Sequence, residues 1–411
     1  MLPDPRRTAR VSLDDILAYA DAHSPVLAVA RSARARADAA RVAASPRLPD
    51  NPVVEVGGGP RIAPDGTGVD VEVSVSQSFE IAGERRRRLA AAASLRRLTE
   101  TEIEQARWDV HCDVHAAFHR ALVLRERAVL ATALLAFQQQ MESAVERRAA
   151  AGETAPLTTR IAQLEVAQAR QVSVAASQAY LAGRLELAQL AGWPATSPPE
   201  PVGHLDVPRD PPSLAHLVEV GRRRRPAYRR LAAAVREARA RAHLAEREAW
   251  PRPAVGARYL LEGAAVPEGP SHVVLGTLAL PLPIARTNQG ERARARADVR
   301  VAETELRAAQ ATLEIELARG RAAITAAAER LRTYGADVLP RLEENLALLQ
   351  RAFELGEIEL LDALVARERF LRVQSDVLDA HLDYFESAAG LERALGVDVW
   401  PDEHGEGAHL R

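Results

Sequence analysis

The chain is written twice. Ser12-Leu13, Pro25 and Pro52 recur 201 positions later as Ser213-Leu214, Pro226 and Pro253, while Gly152 and Gly192 recur at an offset of 204 as Gly356 and Gly396. Each half closes on a Trp-Pro pair, Trp193-Pro194 and Trp400-Pro401. A period of about 200 residues is far longer than the roughly 20 to 50 of a solenoid unit, so the duplicated object is a domain-sized architecture. The marks divide the chain into an arm (1–11), a first repeat (12–202), a linker (203–212), a second repeat (213–400) and a tail (401–411).

Within each half the hydrophobic period changes in the same order. Residues 12–46 read as helical, with one segment ending near His23-Ser24-Pro25 and a second running from Val26 to Ala44 before Ser45-Pro46. The period then drops to two. Val69, Val71, Val73 and Val75 alternate with Asp70, Glu72, Ser74 and Ser76, which in a strand places valines on one face and polar groups on the other. Val53 to Val56 reads as its partner, joined through a long connection of Gly57-Gly58-Gly59-Pro60 and Asp65-Gly66. Ala254 to Glu262 and Val273 to Leu280 repeat the pattern less cleanly.

A long helix follows each hairpin. From Glu84 to Ala151 there is no proline or glycine, and such a run makes a rod of roughly 100 Å at 1.5 Å per residue. Val110, Val114, Ala117, Ala121, Leu124, Ala128, Ala131 and Leu135 step alternately by four and three, a coiled-coil seam built of small side chains. Gly152-Glu153 reverses the chain and Pro156 to Leu190 runs back. The second copy reads as a helix from about Glu291 to Leu355, a turn at Gly356-Glu357 and a return from Ile358 to Leu395, with Pro340 a kink or hinge before the turn. The return helix is shorter than the rod, and Val26 to Ala44 stacked on its end would complete the length.

Composition removes whole classes of function. Only 4% of the 411 residues are aromatic, while alanine, leucine, arginine and glutamate dominate, the usage of long helices packed through small side chains. Lysine is absent, so all 54 basic residues are arginine, and Walker-type loops, Schiff-base lysines and protein-kinase chemistry are excluded. No hydrolase elbow, HExxH or dinucleotide loop is present, and no cofactor is called for. A net charge of −2 argues against nucleic acid as a partner. Cys112 is the only cysteine and forms no intramolecular disulfide. No apolar stretch reaches transmembrane-helix length, and Met1 to Arg10 lacks the apolar core of a secretory signal.

A strand set that is apolar on one face and polar on the other, joined to such rods, reads as a membrane part with a projection. Four strands are too few to close a barrel, for which about eight are the minimum, so a pore requires oligomerisation. Three chains would supply 12 strands and 12 helical columns. Val71, Val73 and Val75 would then face lipid, with Asp70, Glu72 and Ser74 facing the lumen.

The order helix, helix, hairpin, long helix, Gly-Glu turn, return helix, taken twice over residues 12–400, resembles the TolC family of outer-membrane efflux ducts. The turn texts Ala151-Gly152-Glu153-Thr154-Ala155-Pro156-Leu157 and Glu354-Leu355-Gly356-Glu357-Ile358-Glu359-Leu360-Leu361 look like the helical tips of its CzcC-type heavy-metal branch. Ser78-Phe79-Glu80-Ile81-Ala82-Gly83-Glu84-Arg85 and Leu280-Pro281-Leu282-Pro283-Ile284 with Asn288-Gln289-Gly290 look like the family's strand-to-helix junctions. The resemblance implies a mainly α chain with a small β part, forming a homotrimer with a 12-stranded outer-membrane β-barrel and a coiled-coil α-barrel projecting into the periplasm. It implies a passive exit duct rather than an enzyme, with a periplasmic adaptor protein and an inner-membrane RND-type pump as partners and heavy-metal cations as a candidate solute. Gly152, Glu153, Gly356 and Glu357 would sit at the periplasmic tip and meet the adaptor. Family members carry a secretion signal, often with a lipid-bearing cysteine; neither is visible here, and an N-terminus other than that of the nascent chain is the expectation. The alternative reading is a soluble coiled-coil scaffold or an adaptor, although adaptors have one hairpin and a lipoyl-like β domain.

Two further patterns have bland and functional readings. His111, His115 and His119 stand four apart on one helix stripe that also carries Trp108, Phe118 and Leu122, which favours a packing face over a metal contact. Arg85 to Arg88, directly after a membrane strand, suits phospholipid headgroups, whereas Arg222 to Arg225 reads as a solvated face.

Overall fold

A computed structural model describes residues 10–63, 66–205, 208–263, 269–334 and 341–400. The first half comprises β1 (Arg10–Val11), α1 (Leu13–His23), α2 (Pro25–Ser32), α3 (Arg34–Ala44), β2 (Val53–Ala63), β3 (Gly66–Ser78), α4 (Glu84–Ala150) and α5 (Pro156–Ala191). After β4 (Glu200–Pro201) the second half follows with α6 (Leu214–Arg224), α7 (Pro226–Arg247), β5 (Ala254–Glu262), β6 (Ser271–Ala279), α8 (Gln289–Tyr334), α9 (Leu342–Glu354) and α10 (Leu360–Leu395). The protein is mainly helical, with one four-stranded sheet in the order β2-β3-β5-β6 and a parallel pairing of β1 with β4.

The recurring residues each do a steric job. Ser12 caps α1, its hydroxyl accepting from the Asp15 amide while the Asp15 carboxylate reaches back to the Ser12 amide; Ser213 caps α6 through the His216 amide. Pro25 and Pro226 open α2 and α7, the position at which a missing N–H is harmless. Gly192 and Gly396 end α5 and α10 in the left-handed region, at φ 75° and 85°. A Cβ on Gly192 would lie 2.2 Å from the His23 carbonyl oxygen, and one on Gly396 would lie 2.6 Å from Pro226 Cδ. In both halves, therefore, the end of the return helix is seated against the proline that restarts the chain after the first helix.

Two boundaries differ from the sequence reading. The helix expected over Val26 to Ala44 is interrupted at Ala33, between α2 and α3, whereas α7 is unbroken. Gly57-Gly58-Gly59-Pro60 is not part of the connection: it extends β2, with Gly57 opposite Glu72 and Pro60 opposite Val69. A Cβ on Gly58 would come within 3.2 Å of the Asp70 carbonyl, and Pro60 is tolerated because β2 is an edge strand with no partner needed on its outer side. In the second rod the described helix stops at Tyr334 and resumes at Leu342; Pro340 lies outside the described residues.

Contacts divide the chain into two compact units. The first takes in the described residues of Met1–Arg31, Ile103–Ala227 and Ala311–Arg411, the second Ser32–Glu102 and Tyr228–Gln310. Each draws on both halves of the sequence. The first is all helix apart from β1 and β4, and one of its cores packs Ile16, Leu17 and Leu27 against Val110, Val114, Leu122 and Leu187. Val110, Val114, Ala117 and Ala121 of the expected seam are buried. The second unit contains the sheet and a small helical core of Val235, Ala238 and Ala302. Among the described residues no helix is long and apolar enough to cross a membrane.

Candidate functional site: an open sheet and two helix turns

Register assigns every sheet side chain to a face. Val73 lies opposite Val56 on β2 and Tyr259 on β5, and Tyr259 lies opposite Val274 on β6. Val71, Val73 and Val75 therefore share a face with Val54, Val56, Val255, Tyr259, Leu261, Val274 and Leu278. This face is bare: Val274 is 75% exposed and Leu278 73%. Tyr259, mid-strand on this face, is hydrogen-bonded to His272 at 2.6 Å.

The opposite face is ionised. Asp70 receives Arg61 at 3.0 Å, and the same guanidinium reaches Glu262 at 3.1 Å. Glu72 pairs with Arg258 at 3.0 Å, and the Ser74 hydroxyl donates to Glu55 at 3.4 Å. Asp70, Glu72 and Ser74 were legible from alternation; their partners Arg61, Glu262, Arg258 and Glu55 were not, although strand parity was the signal that could have found them. Among the described residues the outer edges of β2 and β6 pair with nothing, which leaves rows of backbone donors and acceptors open.

The two turns are built alike. At the first, the Gly152 amide donates to the Ala149 carbonyl and the Glu153 amide to Arg148; at the second, Gly356 donates to Phe353 and Glu357 to Ala352. This is the same glycine-terminated motif twice, with φ 75° and 76° at the glycines, where other residues are strained. Leu157 and Leu361, each five residues beyond its glycine, project into solvent at 69% and 70% exposure. A residue invisible to sequence reasoning joins the turns: Arg148, at the end of α4, donates to the Phe353 carbonyl at 2.7 Å and lies over the Phe353 ring at 4.6 Å. It thereby adds a second donor to the carbonyl that already accepts from the Gly356 amide. Beneath the turns Phe137, Met141 and Val145 of α4 pack with Ala162, Leu346, Phe353 and Leu360.

The histidine stripe faces α10. His115 Nδ1 lies 2.8 Å from Glu392 Oε2, and the two side chains are only 8% and 3% exposed. His111 meets Asp398 at 3.2 Å, the Trp108 indole donates to the Glu392 carbonyl, and His119 stacks on Phe385 with centroids 4.0 Å apart. Burial pushes the Cys112 thiol up, and lowers His381 to about 4, so that both are neutral. Among the described residues no group of three or more His, Cys, Asp and Glu side chains is placed to hold a metal ion. The stripe packs on α10, where His115 and Glu392 form a buried polar pair.

Comparison with known proteins agrees with this geometry. Residues 217–397 match the model of the family described as Outer membrane efflux protein. The chain is 25% identical over 323 residues to the cobalt-zinc-cadmium resistance protein CzcC of Cupriavidus metallidurans, covering 77% of this chain and 75% of that one. Its fold is similar to the CmeC outer membrane channel of Campylobacter jejuni, with a TM-score of 0.72 at 16% identity over 93% of this chain and 85% of that one. It is likewise similar to a membrane protein from Pseudomonas aeruginosa, with a TM-score of 0.69 at 20% identity over 93% of both chains. The match to outer membrane efflux proteins thus lies in the second repeat of the sequence, while the likeness of fold extends over nearly the whole chain.

Proposed function

We propose that three copies of the chain assemble into the exit duct of a tripartite efflux system in the outer membrane. The observation that carries this reading is the open sheet: a four-stranded ribbon with a bare apolar face, an ionised opposite face and two free edges is unsuited to water as it stands. Three such sheets joined edge to edge, β6 of one copy to β2 of the next, make a closed barrel of twelve strands. Closure removes the edges and gives both faces a fitting medium, with Val71, Val73 and Val75 in lipid and Asp70, Glu72 and Ser74 lining water.

The two repeats, 12–202 and 213–400, would then act as quasi-equivalent sixths of a pseudo-sixfold wall, two from each of the three chains. Gly152-Glu153 and Gly356-Glu357 form the periplasmic mouth, where a periplasmic adaptor docks and an inner-membrane RND-type pump supplies the solute and the energy. Conduction itself breaks no bond. The likeness to a cobalt-zinc-cadmium resistance protein favours divalent metal cations as the exported solute. Mass measurement of the purified protein in detergent should give a trimer; a stable monomer that needs no detergent would sink the reading.

A further inference from the structure

We propose that the strand-to-helix junctions form a guanidinium collar that binds the phosphodiester headgroups of anionic phospholipids. This rests on the reading of the sheet as part of a membrane barrel and adds to it a specific lipid partner. Ser78, Ala254 and Ala279 end three neighbouring strands in one row, and the Phe79 amide ties the row's edge to the Pro253 carbonyl at 2.8 Å. Just beyond that row the chain exposes Phe79, Ile81, Trp250, Leu280, Leu282 and Ile284, with Trp250 53% and Ile284 85% accessible. Large apolar and aromatic side chains at a strand end fit the boundary between acyl chains and headgroups.

The charges beside them are placed against the protein's own electrostatics. α4 opens with Arg85, Arg86, Arg87 and Arg88, and α8 opens with Arg292, Arg294 and Arg296 after Arg286 in the preceding loop. A helix N-terminus is its positive end, so cations there are disfavoured unless an anion answers them. Some are answered internally: Arg88 pairs with Glu80, Arg85 donates to the Ser45 carbonyl, and Arg296 reaches Glu246 at 3.4 Å. Arg86, Arg87, Arg286 and Arg294 make no ion pair among the described residues, and Arg86, Arg286 and Arg294 are exposed. The same excess at both duplicated junctions, next to an exposed apolar belt, calls for an anion that comes attached to hydrocarbon. The planar guanidinium fork suits the two free oxygens of a phosphodiester.

The test uses the full chain reconstituted into vesicles of phosphatidylcholine mixed with phosphatidylglycerol, with co-purifying lipid counted by native mass spectrometry. The wild type should retain phosphatidylglycerol over phosphatidylcholine by about tenfold or more, given the attraction of several arginines near a surface. The variant R86Q/R87Q/R286Q/R294Q should insert but lose the preference, and R222Q/R223Q/R224Q on α6 should keep it. Should the fourfold variant fail to assemble, R86Q/R87Q and R286Q/R294Q are measured separately, and each should lose part of the preference. Absence of a preference in the wild type, its retention in the variants, or its abolition by inorganic phosphate at physiological ionic strength would overturn the collar. Failure of the wild type to enter vesicles of either composition would instead overturn the barrel reading.

Discussion

Placing one arginine at either of two adjacent β3 positions separates a barrel wall from an ordinary surface sheet. Val73 sits mid-strand between Val56 and Tyr259, on a face that offers no carboxylate along β2, β3, β5 or β6. Val73→Arg would hold a guanidinium in hydrocarbon, at a cost of about 2 to 4 kcal/mol per chain near the midplane. Even the lower figure shifts each chain's insertion about thirtyfold, since 1.4 kcal/mol is a factor of ten. Three copies meet in every trimer, so assembly would be all but lost. Ser74 is next along the strand but points the other way, between Glu55 on one side and Arg258 on the other. Ser74→Arg gains one opposite charge and meets one like charge, each cross-strand pair being worth at most about 1 kcal/mol, so the sum is near zero. The assay is the amount of cross-linked trimer in the outer-membrane fraction at matched expression. Equal yields from the two variants, or a worse yield from Ser74→Arg, would refute the assignment of faces.

Gly152→Ala and Gly192→Ala impose the same left-handed strain, about 1 to 2 kcal/mol, but only Gly192 has the His23 carbonyl in the way; overpacking should add about 1 to 3 kcal/mol, read as a larger fall in the denaturation midpoint for Gly192→Ala than for Gly152→Ala. His381 is held to about 4 against 6.5 for the free side chain, so unfolding takes up a proton between those values. Stability from this site is complete above pH 6.5 and falls by up to about 3 kcal/mol toward pH 4; His381→Phe should flatten that acid limb of the melting curve, and an unchanged limb would count against the burial argument. Gly152→Val with Gly356→Val should leave trimer yield normal while weakening cross-links from cysteines beside the turns to the adaptor and lowering resistance in cells; undiminished cross-linking and resistance would put docking elsewhere.

What could be read from the chain beforehand were the places where sterics admit few residues. Ser12, Pro25, Gly192 and their echoes cap, restart and seat helices, and each such job leaves a recognisable residue behind. The β3 valines were legible because a strand period of two is local. Gly57 to Pro60 misled because glycine and proline signal a turn everywhere except on an edge strand, and edge status is a property of the sheet. The break at Ala33 carries no marker, its backbone staying near-helical at φ −61° and ψ −20°. Arg148 on Phe353 and Glu392 under His115 could not be seen, because each joins residues distant in sequence through side chains whose reach no local pattern records.

The segment between the halves, rich in proline, has the text of slack rope and is tied down like a belt. Arg184 holds the Pro199 carbonyl, Arg125 holds those of Pro201 and Gly203, Arg321 holds that of Pro212, and Asp210 is gripped by Arg332 on its side chain and by the Trp400 indole on its carbonyl. Buckles from both halves close on it, and β4 is zipped to β1 along the way. A belt fastened at so many holes has a set length. Insertions that other loops would absorb as surface slack must here either unfasten an arginine or drag the start of α6 out of its seat, so this connector behaves as a ruler between the two halves rather than as a hinge.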